Sequence, residues 1–257
     1  MITKLKNLLR MNKKKVELQD DLPIDQMDPL DPQLNEEESS AVSTDELDEN
    51  FDGREEHYDE IESAIDDEKE DASFLETSAE AVGYENRESQ WNTYRVMSSY
   101  IDHEGSILDF GCGRGEFKSF FLSEYDVNLD YTGIDFNPQL IAAGQKLNSE
   151  TKLLHSDWKS YEGEADWCIN VGSMDLRYDA DTTTSDEEYL IKTINKMYNC
   201  CNTGVAIMLA SDNLQQDDGI ITYSSGDLLT KILSLYGTAS IDHSYSDAIF
   251  TLIIYKN

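Results

Sequence analysis

The segment SILDFGCGRGEF (106–117) constrains the fold more than any other part of this chain. A run of apolar residues too short for a helix leads straight into glycines at 111, 113 and 115. Apolar side chains at helical spacing follow, at Phe117, Phe120, Phe121 and Leu122. This is a buried strand, a tight turn and a helix. Glycines at such a junction let the backbone bend sharply and let a ligand lie against it where a Cβ would intrude. Strand–turn–helix units build parallel sheets, whose ligand crevice opens at the carboxyl ends of the strands.

The rest of the carboxyl-terminal part continues the alternation. Trp91, Tyr94, Met97 and Ile101 fall on one face of a lead-in helix. YTGIDF (131–136), TKLLHSD (151–157) and DWCINVG (166–172) read as strands. Asn137 and Pro138 suit the N-cap and first turn of a helix carrying Leu140 and Ile141. Leu190, Ile194, Met197, Tyr198 and Cys201 share a helical face. GVAIMLA (204–210) is apolar throughout, as a central strand should be. A helix at 226–236 leads to TASIDHSY and AIFTLIIYK, which are separated only by Ser246 and Asp247 and must pair antiparallel. The fold class is α/β: a doubly wound, seven-stranded, mostly parallel sheet with an antiparallel carboxyl-terminal strand pair. The expected domain spans residues 86–257.

A dinucleotide site would place a third glycine at 116. Glu116 stands there, beside the position of a pyrophosphate, with only Arg114 to offset it. A cationic or zwitterionic cofactor suits the turn better, and a nicotinamide-dependent oxidoreductase becomes the weakest reading. ILDFGCGRGEF resembles motif I of the class I S-adenosylmethionine-dependent methyltransferases, an acid followed by GxGxG. YTGIDFNPQLI is similar to their second motif and LLHSDW to their third. The terminal strand pair resembles the hairpin that closes their sheet. The resemblance runs from about Gln90 to Tyr255, and the carboxyl half looks like small-molecule methyltransferases of bacteria and phages.

The resemblance implies S-adenosylmethionine as cofactor and assigns roles. Asp135 holds the ribose hydroxyls, and Phe136 packs on the adenine. Asp157 meets the adenine amino group, with Trp158 beside it. Gly111 and Gly113 lie along the methionine and ribose. Asp109 orients the turn or reaches the amino group, and Arg95 is a candidate for the cofactor carboxylate. A carboxylate accepting both ribose hydroxyls makes two charge-assisted hydrogen bonds of roughly 1.5–3 kcal/mol each. Methyl transfer from a sulfonium needs mainly alignment, so no catalytic signature is required and none is seen. His243, beside Tyr245, and Tyr178 are the candidates for an acceptor or base contact. His155 reads as structural, His57 and His103 as solvated, and Cys168 as a core residue.

The expected acceptor is a small, non-anionic molecule. Segment 170–175 (NVGSMD) lacks the (D/N)PP(Y/F) of enzymes that methylate base amino groups, and no Pro-Cys pair marks a cytosine C5 nucleophile. A Lys-Asp-Lys-Glu set for ribose methylation cannot be assembled from so few lysines. Composition points the same way. Asp and Glu outnumber Lys and Arg 53 to 20, a formal charge of −33, which disfavours nucleic acid and anionic membranes as partners. Four cysteines without CxxC spacing read as reduced thiols, and the opening residues lack the shape of a secretory signal, so a cytoplasmic location is expected.

The charge is uneven. Residues 1–90 hold 28 acidic against 9 basic residues, and residues 91–257 hold 25 against 11. A basic arm (1–15) precedes a carboxylate-rich stretch with few large apolar side chains, so residues 1–85 are expected to form a largely disordered tail. Within it, DENFDG (48–53) matches the first half of a calcium loop. Asp59 at the closing position and Glu55 at the pinning position depart from that pattern, and the reading is a solvated linker. A partner protein for this tail is the alternative source of function: a cofactor-binding, non-catalytic, phage-associated module working through its acidic segment.

Overall fold

In the computed structural model, the described residues are 77–175, 185–214 and 220–256. The acidic stretch to Glu76, with its calcium-loop match and His57, and Tyr178 lie outside them. A short 3-10 helix, Glu80–Val82, precedes α1 (Arg87–Ser98), β1 (Ile107–Phe110), α2 (Glu116–Tyr125), β2 (Tyr131–Asp135), α3 (Pro138–Leu147) and β3 (Lys152–His155). Then come β4 (Ala165–Val171), α4 (Asp186–Cys200), β5 (Cys201–Ala210), α5 (Ser225–Tyr236), β6 (Ala239–Asp242) and β7 (Ile249–Tyr255). The strand order is β3-β2-β1-β4-β5-β7-β6, with β7 antiparallel to both neighbours and the other pairs parallel. The expected fold class is the one observed.

Side-chain caps start α1, α3 and α4. Asn86 and Ser89 form a reciprocal capping box on α1. The Asn137 side chain accepts from the Gln139 and Leu140 amides with Pro138 in the first turn of α3, and Ser185 accepts from the Glu188 amide at the start of α4. Alternation then sorts the strand side chains between two layers. Leu108 and Phe110 of β1, with Val205, Ile207 and Leu209 of β5, pack under α4 and α5. Ile107, Ile169, Ala206 and Met208 pack under the layer that contains Tyr94 and Met97 of α1 and Phe117, Phe120 and Phe121 of α2. Cys168 is fully buried, as expected of a core residue.

Two local expectations change. The terminal hairpin is antiparallel, but residues 243–248 join its strands rather than two residues. Side chains there satisfy the backbone in place of a ladder: Asp242 Oδ1 accepts from the Ser244 amide, and Ser246 Oγ accepts from the Ala248 and Ile249 amides. Residues 77–85, on the tail side of the expected boundary, are packed on the domain. Ala79 is buried, and Arg114 donates to the Ser78 carbonyl at 2.7 Å. Among the described residues, no helix is long and apolar enough to cross a membrane.

Candidate functional site

The glycine turn leaves β1 by borrowing its neighbour's backbone. The amides of Gly111 and Cys112 both donate to the Ile134 carbonyl of β2, at 2.9 and 3.1 Å. Gly111, Gly113 and Gly115 all have positive φ, at 73°, 55° and 70°, which side chains rarely tolerate. The missing Cβ atoms also serve protein packing. A Cβ on Gly111 would overlap Ser173 Oγ, and one on Gly113 would come within 3.0 Å of Val82 Cγ1. The turn is therefore clamped between the loop after β4 and the segment before α1.

Asp135, at the end of β2, is buried and faces this turn. Its Oδ2 accepts from the Gly113 amide at 2.8 Å and its Oδ1 from the Asn137 amide at 2.9 Å. Each oxygen keeps acceptor capacity after one such bond. Burial raises its pKa, and the two amides pull it back only in part. Asp109, third residue of β1, is also buried. Its Oδ2 accepts from the Tyr131 hydroxyl at 2.6 Å, while its Oδ1 has no partner. Burial pushes this carboxyl up to about 7, with the Tyr131 hydroxyl pulling it down and the charge of Asp135 adding to the rise. Asp109, Gly113 and Asp135 thus share one corner.

The cations nearby are committed elsewhere. Glu116 opens α2 and pairs with Arg114 Nη2 at 2.7 Å and with Arg87 of α1. Gln90 of α1 donates to the same carboxylate at 3.0 Å. Burial pushes Glu116 upward, but the Arg114 charge and the three donors outweigh it and hold the carboxyl below its ordinary value. Glu116 is a brace tying α1 to the turn. The sequence offered only Arg114 as its countercharge, because the Arg87 and Gln90 partners come from another helix.

Other expected residues scatter. Asp157 Oδ1 accepts from both the amide and the hydroxyl of Ser160, at 2.6 and 2.7 Å. Its burial raises the pKa, and these bonds more than reverse that. Trp158 is buried in the α4 layer, edge-on to Phe110 at 6.1 Å and beside Tyr189. Phe136 is half-buried just past β2. Arg95 is half exposed, donating to Asn92 and pairing with Glu124 at 2.9 Å. Glu124 lies eight residues beyond Glu116, about 12 Å along α2 from the turn, so Arg95 does not join the corner. His155, at the end of β3 in register with Asp135, is exposed, and so is His103. His243 follows β6 and rests against Phe250 at 5.1 Å. Four strand spacings, about 19 Å, separate β6 from β1.

Two residues escaped the sequence reading. Asn170, at the end of β4, donates to the Phe110 carbonyl at 2.7 Å and to Ser173 Oγ at 2.5 Å, fixing the next loop against the turn. Asp175 in that loop is buried, with Oδ1 unpartnered. An acid in a loop carries no sequence signal of burial beyond its place after a central strand. Among the described residues, no cluster of side chains is arranged to hold a metal ion.

No protein-family model matches the chain, and no curated protein matches it in sequence. Solved structures do match in fold. Magnesium protoporphyrin IX methyltransferase from Synechocystis PCC 6803, with bound S-adenosylhomocysteine, superposes with a TM-score of 0.50 at 10% identity, over 65% of this chain and 83% of that one. The 1,6-didemethyltoxoflavin-N1-methyltransferase of Burkholderia thailandensis, with its substrate and S-adenosylhomocysteine bound, gives 0.50 at 12% identity, over 82% and 93%. The mitomycin 7-O-methyltransferase MmcR gives 0.51 at 11% identity, over 68% of this chain and 56% of that one. At these identities the likeness establishes the fold: that of the class I S-adenosylmethionine-dependent methyltransferases.

Proposed function

We propose that this chain is an S-adenosylmethionine-dependent methyltransferase acting on a small, non-anionic molecule. One observation carries the reading. Two buried carboxylates, Asp109 and Asp135, meet at a positive-φ glycine turn, and one of them keeps an unpartnered oxygen. Two buried acids together cost free energy unless a donor-rich or cationic ligand joins them. The nearby Arg114 cannot serve, being held by Glu116. A ligand with an ammonium, a sulfonium and a ribose diol fits this donor set, whereas a diphosphate would be repelled.

In this reading Asp135 accepts from the ribose hydroxyls with its remaining lone pairs. Asp109 Oδ1 takes the amino group, directly or through water. The half-buried Phe136, just past the end of β2, packs on the adenine. The bound cofactor supplies both electrophile and leaving group, leaving the chain to bind, align and exclude water. The matched structures support the choice, since two of them hold S-adenosylhomocysteine in the same fold.

Calorimetry on the full chain tests the assignment with S-adenosylmethionine, S-adenosylhomocysteine and NAD. Binding of the two sulfur nucleosides at micromolar levels, without NAD, is expected. Binding of NAD alone would overturn the reading.

A further inference from the structure

Beyond the cofactor corner, the carboxyl end of the sheet holds a second buried acid without a full set of partners. Asp175 lies in the loop after β4, two residues beyond the Ser173 that presses on Gly111. Its own carbonyl accepts from the Ile221 amide at 2.8 Å, which ties the loop to the chain entering α5. Its carboxylate meets the Ala210 amide, at the last residue of β5. That amide lies two residues past the final β4–β5 register pair, Val171–Met208. Asp175 Oδ1 is buried and unpartnered. Tyr245 senses its charge, and Tyr223 closes the neighbourhood by donating to the Met174 carbonyl at 3.3 Å.

Each of these two acids keeps one unmatched oxygen at the carboxyl end of the sheet. Asp109 belongs to β1, and Asp175 sits against β5, two strand spacings or about 10 Å away. Among the described residues, no basic side chain bears on Asp175. A ligand lying along the glycine turn and held by Asp109 would direct its far side toward Asp175. The geometry points to Asp175 as the group that receives the acceptor's proton in methyl transfer, with Oδ1 accepting a hydrogen bond from the acceptor's N–H or O–H.

This inference rests on the methyltransferase reading and deepens it by naming the acceptor class, a neutral amine or hydroxyl that arrives protonated. As the acceptor's lone pair bonds to the methyl carbon, the carbon–sulfur bond breaks and sulfur keeps the pair. The acceptor's proton passes to Asp175. The charges of the sulfonium and the carboxylate disappear together, which suits a dry site. Burial pushes the Asp175 carboxyl up to about 7, against the pull of the Ala210 amide, a value suited to a base at neutral pH.

The test needs no acceptor. S-Adenosylhomocysteine lacks the methyl group, while sinefungin carries an amine on carbon where the donor carries its methyl-bearing sulfur, so only sinefungin presents a cation toward Asp175. Affinities of the full chain for both are measured by calorimetry at pH 8. We expect sinefungin to bind about ten-fold tighter than S-adenosylhomocysteine. Asp175→Asn should abolish that preference while leaving the S-adenosylhomocysteine affinity within about two-fold, and Asp175→Glu should restore part of it. A preference unchanged in Asp175→Asn overturns the proposal. Should that variant fail to fold, the unmodified chain decides. Among the described residues, the titratable groups around this acid are Tyr245 and Tyr223, with Asp242 behind Tyr245, and the burial-raised Tyr245 stays neutral there. The preference must therefore grow severalfold from pH 6 to pH 8, and a flat ratio overturns the proposal. Failure of both nucleosides to bind at all would instead sink the methyltransferase reading.

Discussion

The β5–β7 half of the sheet and the β1–β2 corner are built on opposite terms. Residues 205–210 of β5 and 249–254 of β7 are buried without interruption, and Thr251, the one polar side chain among them, is matched to the Tyr245 hydroxyl at 2.8 Å. The corner packs Asp109, Arg114, Glu116, Asp135 and Gln90 out of solvent beside three glycines of positive φ. One region is apolar and satisfied; the other holds like charges in proximity and an unpartnered oxygen. The difference separates a slab that carries stability from a corner to which the proposed function assigns ligand affinity.

The sharpest break between them comes from truncating the slab. Phe250→Ala should cost roughly 3–5 kcal/mol of unfolding free energy, read by chemical denaturation, with nucleoside affinity intact wherever the variant remains folded. Asp135→Ala should do the reverse. It should weaken S-adenosylhomocysteine binding by roughly 2–4 kcal/mol in calorimetry and cost less stability than Phe250→Ala, because relief of a buried charge offsets part of the loss of an acceptor for the Gly113 and Asn137 amides. A variant with unchanged affinity would place the corner's function elsewhere.

Acidity offers a third comparison, of smaller size. Asp109 and Asp175 stand near 7 when folded, against about 3.9 for an unfolded carboxyl. Both hold a proton more tightly folded than unfolded. Their penalty is therefore complete above pH 7 and falls away as pH drops toward 4. Glu116 and Asp157, held low, act in the opposite sense, but only once unfolded carboxyls begin to protonate below about pH 5. The ligand-free chain should thus melt a few degrees higher at pH 6 than at pH 8, and a cationic ligand should shrink the gap. A melting temperature that rises from pH 6 to pH 8 would contradict the assignment.

Two still smaller effects bound the comparison. Arg95→Ala removes one exposed ion pair and should cost at most about 1 kcal/mol, with affinity unchanged. The composition predicts that residues 1–76 add nothing to the core, so their removal should leave the melting transition and nucleoside binding as they were. Removal through residue 85 should be worse, since it strips the segment packed on Arg114 and Gly113.

Much of the fold was legible because its signals are local. The capping role of Asn137, the strand leading into glycines and the uninterrupted apolar runs of the last strands each express a period or a backbone preference within a few residues. The roles of Arg95 and Trp158 were not legible in this way. Arg95 was read from its place on a helix, yet its partner Glu124 comes from α2. Trp158 adjoins a motif, yet its ring packs edge-on to Phe110 in the core layer under α4.

By itself, the amino-acid order determined the alternation of strands and helices, the bend after β1 and the acid at the end of β2. These depend on side-chain period and on backbone angles that only glycine accepts readily. Tertiary structure alone decided which charges would be neutralised. Glu116 found Arg87 and Gln90 on another helix, while Asp109 and Asp175 were enclosed with an oxygen unmatched. Burial and pairing arise where distant segments meet, and no window of sequence contains that meeting.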